Sequence, residues 1–170
     1  IQDRELTQTA ALLKSVRAQG VTEALCANLG HVALARLAGM EARGDFGLNI
    51  FNSYALELAK AAMLRSATAS FELSLEQIKV LTMPLDVEII AYGRLPAMLT
   101  EKCLIKQSSG RCTCSAPGRL ADERGGVMAV LREGGCRNAV YSAHKVFLAD
   151  KAEELARAGV WGLRLLFTNE

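Results

Sequence analysis

The sequence predicts an α/β fold built from parallel β/α units, and three observations support this. Short apolar runs alternate with amphipathic segments along the first 91 residues. Turn and helix-capping residues separate these segments. The chain is 51% hydrophobic and 22% charged, which suits one compact soluble domain. Regular strand–helix alternation implies neighbouring parallel strands joined by right-handed crossovers.

Hydrophobic spacing and capping residues define the elements of the first half. A helix over 7–18 places Leu12, Leu13 and Val16 on one face, and an apolar run over 21–27 is typical of a buried strand. Asn28 and Asn52 stand where helix N-caps are expected. The predicted elements are helix 7–18, strand 21–27, helix 31–39, strand 45–51, helix 54–63, strand 67–71, helix 74–80 (opened by a capping box of Ser74 and Gln77) and strand 86–91.

The pattern changes after residue 100. Residues 100–126 are rich in Lys, Ser, Gly, Cys and Arg and are expected to form a long functional loop. Strands 127–131 and 138–142 then form a hairpin, followed by helix 149–158 and strand 161–167. We therefore expect a single domain over 1–170, resembling part of a TIM-type barrel, with a cysteine-rich insertion at 100–137. The four or five barrel strands need the remainder of the barrel, from a longer chain or from a second copy.

Composition narrows the possible partners and the location of the protein. The net charge of +2 neither demands nor excludes RNA, although a local excess of bases surrounds the cysteines, at Lys102, Lys106, Arg111 and Arg119. A solvated loop explains that excess equally well. The sequence has no apolar run long enough for a membrane span, and its first residues carry acids, lack the apolar core of a signal sequence and begin without Met. A cytoplasmic fragment or processed product is expected, without a membrane partner.

Four clustered cysteines form the strongest chemical signal. Cys103, Cys112, Cys114 and Cys136 supply four soft thiolates, which suit a [4Fe-4S] cluster or, as an alternative, a tetrahedral zinc ion. The spacing matches neither a zinc ribbon nor the bacterial ferredoxin run. Four unrelated free thiols remain an alternative explanation. Cys26 lies in an apolar run and is expected to be a buried structural thiol.

Polar residues in and after the predicted strands form a second set of candidates, because active sites of β/α barrels lie at the carboxyl ends of strands. Each has an alternative interpretation as a cap, a turn residue or a structural ion pair, and Glu88 could pair with Arg94 or with a lysine. No Ser–His–Asp order and no zinc-protease motif is visible. The candidates are Glu72, Glu88 and Arg94 as catalytic residues, and Asn49, Asn52, His144 and Lys145 as substrate-binding residues.

Several segments resemble the collagenase-like peptidase family U32. The most specific segment is EIIAYGRLPAMLTEKC at 88–103, in which Glu88 and Gly93 match the family signature. Pro96 stands where many members have their first cysteine, and Cys103 is similar to the displaced cysteine of one subgroup. The other segments are GDFGLNIFNS at 44–53, SFELS at 70–74, EQI at 76–78, and residues 138–150 and 163–168.

The resemblance implies an enzyme and leaves open whether the isolated fragment is active. Several family members are implicated in hydroxylating RNA bases or quinone precursors with a cysteine-bound iron–sulfur cluster. An oxygen-inserting enzyme acting on RNA or a related aromatic substrate is therefore the first hypothesis. A collagenase-like peptidase is the second, and a noncatalytic domain with a structural zinc is the third.

Overall fold

The computed structural model describes residues 3–111, 113, 115–134 and 136–167. Short 3-10 helices cover Phe46–Leu48 and Ala149–Lys151. The helices are α1 (Asp3–Ala18), α2 (Leu29–Leu37), α3 (Ser53–Ala61), α4 (Leu75–Lys79), α5 (Leu104–Ser109) and α6 (Ala152–Arg157). The strands are β1 (Glu23–Cys26), β2 (Glu41–Gly44), β3 (Ser66–Thr68), β4 (Asp86–Thr100), β5 (Gly118–Ala121), β6 (Val127–Glu133), β7 (Arg137–Phe147) and β8 (Gly162–Leu166).

The chain divides into two compact units. The first contains the residues up to Ile90 together with Lys151–Arg164, and the second contains Ala91–Asp150 together with the residues from Leu165 onward. Strands β4 and β8 contribute residues to both units. The predicted insertion, 100–137, falls within the second unit. No helix among the described residues is both long and apolar enough to cross a membrane.

The first unit confirms the predicted parallel β/α arrangement. Strands β1, β2, β3 and the start of β4 are parallel neighbours in that order. Helices α2, α3 and α4 connect them in sequence. Cys26 pairs with Gly44, and Thr68 pairs with Glu88. Because the strands run in one direction, their carboxyl ends lie at one edge of this part of the sheet.

The predicted capping residues mark the starts of α2, α3 and α4, whereas α1 begins at Asp3, before the predicted start at residue 7. Asn28 accepts a hydrogen bond from the His31 amide at 2.9 Å, and Asn52 accepts one from the Ala55 amide at 2.9 Å. Ser74 forms a reciprocal capping box with its partner glutamine at the start of α4. Side-chain oxygens satisfy amides that have no carbonyl partner within the helix. The core beneath these helices includes the fully buried Leu56, Val87 and Ala67.

The predicted strand at 45–51 was wrong. The strand lies earlier, at β2, and ends before Asp45. The Asp45 carboxylate accepts a hydrogen bond from the Phe46 amide at 2.8 Å and caps the 3-10 helix that follows. That helix ends at Asn49, whose φ of +50° is left-handed. Ile50 keeps a single parallel bridge to Ala69, so only one residue of the predicted strand pairs as expected.

The second unit contains an antiparallel sheet. The later part of β4 pairs with β7, β7 pairs with β6, and β6 pairs with β5, all antiparallel. The predicted hairpin is confirmed as β6 and β7, although both strands extend further. Strand β4 does not end at Ala91, because it continues through irregular pairing near Pro96 to Thr100. Gly93 permits this at a φ of +121°, where a side chain would collide with the Leu166 carbonyl oxygen.

Residues 100–126 are less irregular than the sequence predicts, because they contain α5 and β5. The Ile105 side chain of α5 lies against the β5–β6 pair, since a Cβ added to Gly118 would be 3.0 Å from Ile105 Cγ1 and 3.4 Å from Val130 Cβ. Val130 and Val140 pair across β6 and β7 and are almost fully buried. A small apolar core therefore anchors α5 to one face of this sheet.

Candidate active site and candidate metal centre

Four polar side chains meet at the carboxyl-terminal edge of the first unit's parallel strands. Asp45 follows β2, Thr68 ends β3, Glu88 lies in β4, and Arg164 lies in β8. The parallel register of β3 and β4 places Thr68 directly beside Glu88. This is the end at which β/α folds assemble binding and catalytic groups. We call these four residues the Arg164 cluster.

Arg164 connects the members of the cluster. Its Nη1 pairs with Asp45 Oδ1 and its Nη2 pairs with Glu88 Oε1. Nη2 also donates to the Thr68 hydroxyl at 2.9 Å. The Thr68 hydroxyl lies 2.8 Å from Glu88 Oε1 and 3.1 Å from the Gly44 carbonyl oxygen, either of which can accept its proton. One guanidinium therefore fixes the carboxylate that follows β2 and the carboxylate in β4.

The cluster is largely shielded from solvent, which strengthens its electrostatics. The side chains of Arg164 and Asp45 are each 15% exposed, that of Glu88 is 21% exposed, and Thr68 is fully buried. Charges in such positions are tolerated when they are paired and hydrogen-bonded. Two carboxylates and one guanidinium leave the cluster with one net negative charge.

In the second unit, the backbone at Cys103 is tied to the strand that follows Cys136. The Leu104 amide donates to Asn138 Oδ1 at 2.7 Å, and Asn138 is fully buried. Cys136 lies two residues before Asn138, so their Cα atoms are at most about 7 Å apart. Cys103 caps α5 and its Sγ accepts a hydrogen bond from the Lys106 amide at 3.4 Å. The backbone positions of Cys103 and Cys136 are therefore near each other at one end of the second unit's sheet.

Comparison with known proteins identifies the family. Residues 1–165 match the family model described as Peptidase family U32. The chain belongs to peptidase family U32. No curated protein and no solved structure matches the chain. Membership in U32 agrees with the resemblance drawn from the sequence, and it does not by itself distinguish a peptidase from a hydroxylase.

Two of the four cysteines predicted in this U32 chain as metal ligands are described by the structure. Cys103 is half-buried and Cys136 is exposed, and both are free thiols. Cys112 and Cys114 lie outside the described residues. Within the described part of the chain, no three His, Cys, Asp or Glu side chains come close enough to hold a metal ion. The four-thiolate site therefore stays a prediction.

The chemistry of the described cysteines fits an iron–sulfur cluster or zinc. Thiolate sulfur is the donor that both groups take from proteins. Hydrogen bonds to ligand sulfurs help to set the reduction potential of an iron–sulfur cluster, and the Lys106 amide donates such a bond to Cys103 Sγ.

Three sequence candidates of the first unit lie outside the Arg164 cluster's hydrogen bonds. Glu72 is exposed in a turn, where its amide donates to Ser70 Oγ at 3.4 Å. Asn49 is exposed and ends the 3-10 helix, and Asn52 is exposed and caps α3. Each of these residues has a structural role of its own, and their predicted parts in catalysis and substrate binding stay predictions.

The remaining candidates lie in strands of the second unit. Arg94 is inside β4 and donates to the carbonyl oxygens of Ser142 and Ala143. His144 and Lys145 are inside β7, because the strand continues past residue 142 to Phe147. Lys145 Nζ donates to the Tyr92 hydroxyl at 3.1 Å and lies 5.2 Å from the centre of that ring. Arg94 and Lys145 are also paired across β4 and β7.

Sequence reasoning selected Glu88 but missed the other three members of its cluster. Glu88 stood out as a carboxylate within an apolar strand. Arg164 carries the same signal, a charge between two leucines in β8, and the guanidinium that pairs with Glu88 is that of Arg164. Asp45 and Thr68 carry no comparable local signal, because only the parallel pairing brings them to this edge.

Cys26 ends β1 close to the Arg164 cluster and confirms the expectation of a buried thiol. It is 1% exposed. Burial raises the pKa of the Cys26 thiol, and the nearby Asp45 carboxylate raises it further. A thiol with a raised pKa stays protonated at neutral pH and is a poor nucleophile or metal ligand. Cys26 therefore belongs to the core of the first unit.

Proposed function

We propose that this U32 protein is an iron–sulfur-dependent enzyme that inserts oxygen into an aromatic C–H bond of RNA or of a related aromatic substrate. The observation that carries the proposal is the hydrogen bond between the Leu104 amide and Asn138, which brings the segments bearing Cys103 and Cys136 together. Two cysteines on these segments, with two more between them in sequence, would supply the ligand set of a cluster.

Cys103, Cys112, Cys114 and Cys136 would hold the [4Fe-4S] cluster. When bound, the cluster supplies one-electron redox chemistry. The protein contributes the scaffold, because Asn138 fixes the backbone after Cys103 and α5 follows Cys103 directly in the chain. The same four thiolates would hold zinc in a purely structural site, which is the alternative cofactor.

The substrate assignment draws on charge as well as on family resemblance. Lys102, Lys106 and Arg111 are exposed beside the cysteines, and exposed cations attract the phosphate backbone of RNA. Converting an aromatic C–H into C–OH removes two electrons from the substrate. An oxygen-atom donor must therefore supply the oxygen and accept the same two electrons.

The partner that we propose for the first unit is the rest of a β/α barrel. Its four parallel strands and their crossover helices are the repeating unit of a TIM-type barrel, which has eight strands. The remaining strands would come from the longer chain or from a second copy. We also propose a cytoplasmic location, where the RNA substrate would be met.

Mass spectrometry of RNA tests the proposed reaction. The full-length protein is expressed in a host that lacks a U32 enzyme, and nucleosides from host RNA are searched for the gain of one oxygen atom. We expect an oxidised nucleoside with the wild type, its loss with Cys103→Ala or Cys136→Ala, and its retention with the matched control Cys26→Ala. Unchanged RNA together with cleavage of a fluorogenic collagen-like peptide would replace the proposal with the peptidase alternative.

A further inference from the structure

Glu88 is held through one of its two carboxylate oxygens. Oε1 pairs with Arg164 Nη2 and lies 2.8 Å from the Thr68 hydroxyl. Among the described residues, no group donates a hydrogen bond to Glu88 Oε2. The Glu88 side chain is 21% exposed, so Oε2 is open to a donor from water or from a ligand group.

We propose that Arg164 and Thr68 are positioning residues that fix Glu88, so that Glu88 Oε2 accepts a hydrogen bond from an N–H or O–H donor of the substrate. Thr68 is fully buried and Arg164 is 15% exposed, so neither can turn away without leaving a polar group unsatisfied. Together they hold the Glu88 carboxylate in one orientation before the substrate arrives. Such preorganisation reduces the entropy lost on binding.

Asp45 has the same arrangement. Its Oδ1 accepts from the Phe46 amide and pairs with Arg164 Nη1, whereas Oδ2 has no partner among the described residues. Asp45 Oδ2 and Glu88 Oε2 are thus two acceptors on carboxylates whose other oxygens pair with Arg164 Nη1 and Nη2. The net negative charge of the cluster disfavours a carboxylate or phosphate at this point and favours a neutral or cationic donor group.

The donor edge of a nucleobase meets these requirements, and naming it rests on the proposed function. A base presents N–H groups beside C=O groups without carrying a negative charge, and the phosphates of its backbone would lie elsewhere. A carboxylate acceptor also discriminates strongly, because a base without the donor leaves the oxygen unpaired.

The decisive variant is Glu88→Gln. The amide oxygen must face Arg164, because a guanidinium can only donate, so the amide nitrogen takes the place of Oε2. The substitution turns an acceptor into a donor at constant size. We expect binding of the preferred nucleoside to weaken by about 10- to 100-fold, the usual effect of losing a hydrogen bond to a charged group.

The experiment is an NMR titration of the anaerobically purified full-length protein with uridine, cytidine, adenosine and guanosine. The nucleoside that binds best is then compared with its analogue methylated at the donor nitrogen. We expect the wild type to bind this analogue as weakly as the Glu88→Gln variant binds the unmethylated nucleoside. Thr68→Val should weaken binding severalfold, and Thr68→Ser, which keeps the hydroxyl, should restore it.

The matched control is Glu23→Gln. Both oxygens of Glu23 are already occupied by Arg43, at 2.7 and 2.8 Å, so this change should leave nucleoside binding unaltered. Wild-type affinity in Glu88→Gln, equal binding of the methylated analogue, or no binding of any nucleoside to the wild type would each overturn the inference. Iron and sulfide measured in the same samples test the proposed function separately, because the Glu88 variant leaves every cysteine intact.

Discussion

Replacing Arg164 with Met should destabilise the first unit strongly. The side chain of Met is of similar length and keeps much of the packing, but the Asp45 and Glu88 carboxylates lose their shared cation. Removing one partner of a buried pair costs about 3–5 kcal/mol. Since the carboxylates are 15% and 21% exposed, water recovers part of this, and we expect a loss of about 2–4 kcal/mol.

Urea denaturation followed by tryptophan fluorescence measures this loss locally. Trp161 is the sole tryptophan of the sequence and lies in the first unit, so its emission reports that unit's unfolding. Adding Glu88→Gln to the Arg164 variant should restore part of the stability, because it removes one of the two unpaired charges. Arg157→Met is the control, since its partner Glu153 is 93% exposed and the pair contributes little. An Arg164→Met variant as stable as the wild type would refute the reasoning.

Three further predictions concern the second unit. Gly93→Ala should destabilise it by at least about 3 kcal/mol, seen as a lower urea midpoint, because the new methyl group meets the Leu166 carbonyl at a positive φ. Asn138→Ala should cost about 2–3 kcal/mol and speed hydrogen exchange at the Leu104 amide, which loses its acceptor. Burial raises the pKa of Tyr141, and the nearby Glu133 carboxylate raises it further, so alkaline titration at the phenolate absorbance should show one late-ionising tyrosine that Tyr141→Phe removes. Because the fold favours the neutral phenol, Tyr141 contributes to the free energy of unfolding. That contribution is fully present below the unfolded pKa of about 10 and is lost as the pH rises from there through the higher pKa of the folded protein.

Matched variants separate these effects from general damage. Gly39→Ala also stands at a positive φ, of +73°, but has open space around the new methyl group, so it should cost less than the change at Gly93. Equal losses at the two glycines would contradict the steric argument. Slow exchange at the Leu104 amide in Asn138→Ala would show that the side-chain hydrogen bond does not hold this segment. A Tyr141→Phe titration identical to that of the wild type would contradict the burial argument.

The sequence predicts this fold well where the signal is local. Three N-cap side chains accept hydrogen bonds from amides three residues further along the chain, so these helix starts can be predicted from residues close in sequence. The three N-caps are Asn28, Asn52 and Ser74. The strand predicted at 45–51 was wrong because the apolar residues after Asp45 have the composition of a strand, whereas Asp45 caps a 3-10 helix. Strand β4 was predicted too short because Gly93 normally interrupts strands, whereas here it allows a close approach.

The candidate site was predictable only in part, because its contacts are distant in sequence. Arg164 lies 119 residues from Asp45 and 96 from Thr68, and no local pattern connects them. A charged residue flanked by leucines in a strand was nevertheless a usable signal. Opposite charges in two apolar strands, Glu88 and Arg164, suggest each other as partners, since burying either alone is costly.

The iron and acid-labile sulfide content of anaerobically purified full-length protein tests the central claim most directly. We predict about four iron and four sulfide per chain with visible absorbance, and loss of all three in Cys103→Ser and Cys136→Ser. One zinc per chain without sulfide, or the same iron content in both serine variants, would contradict the account.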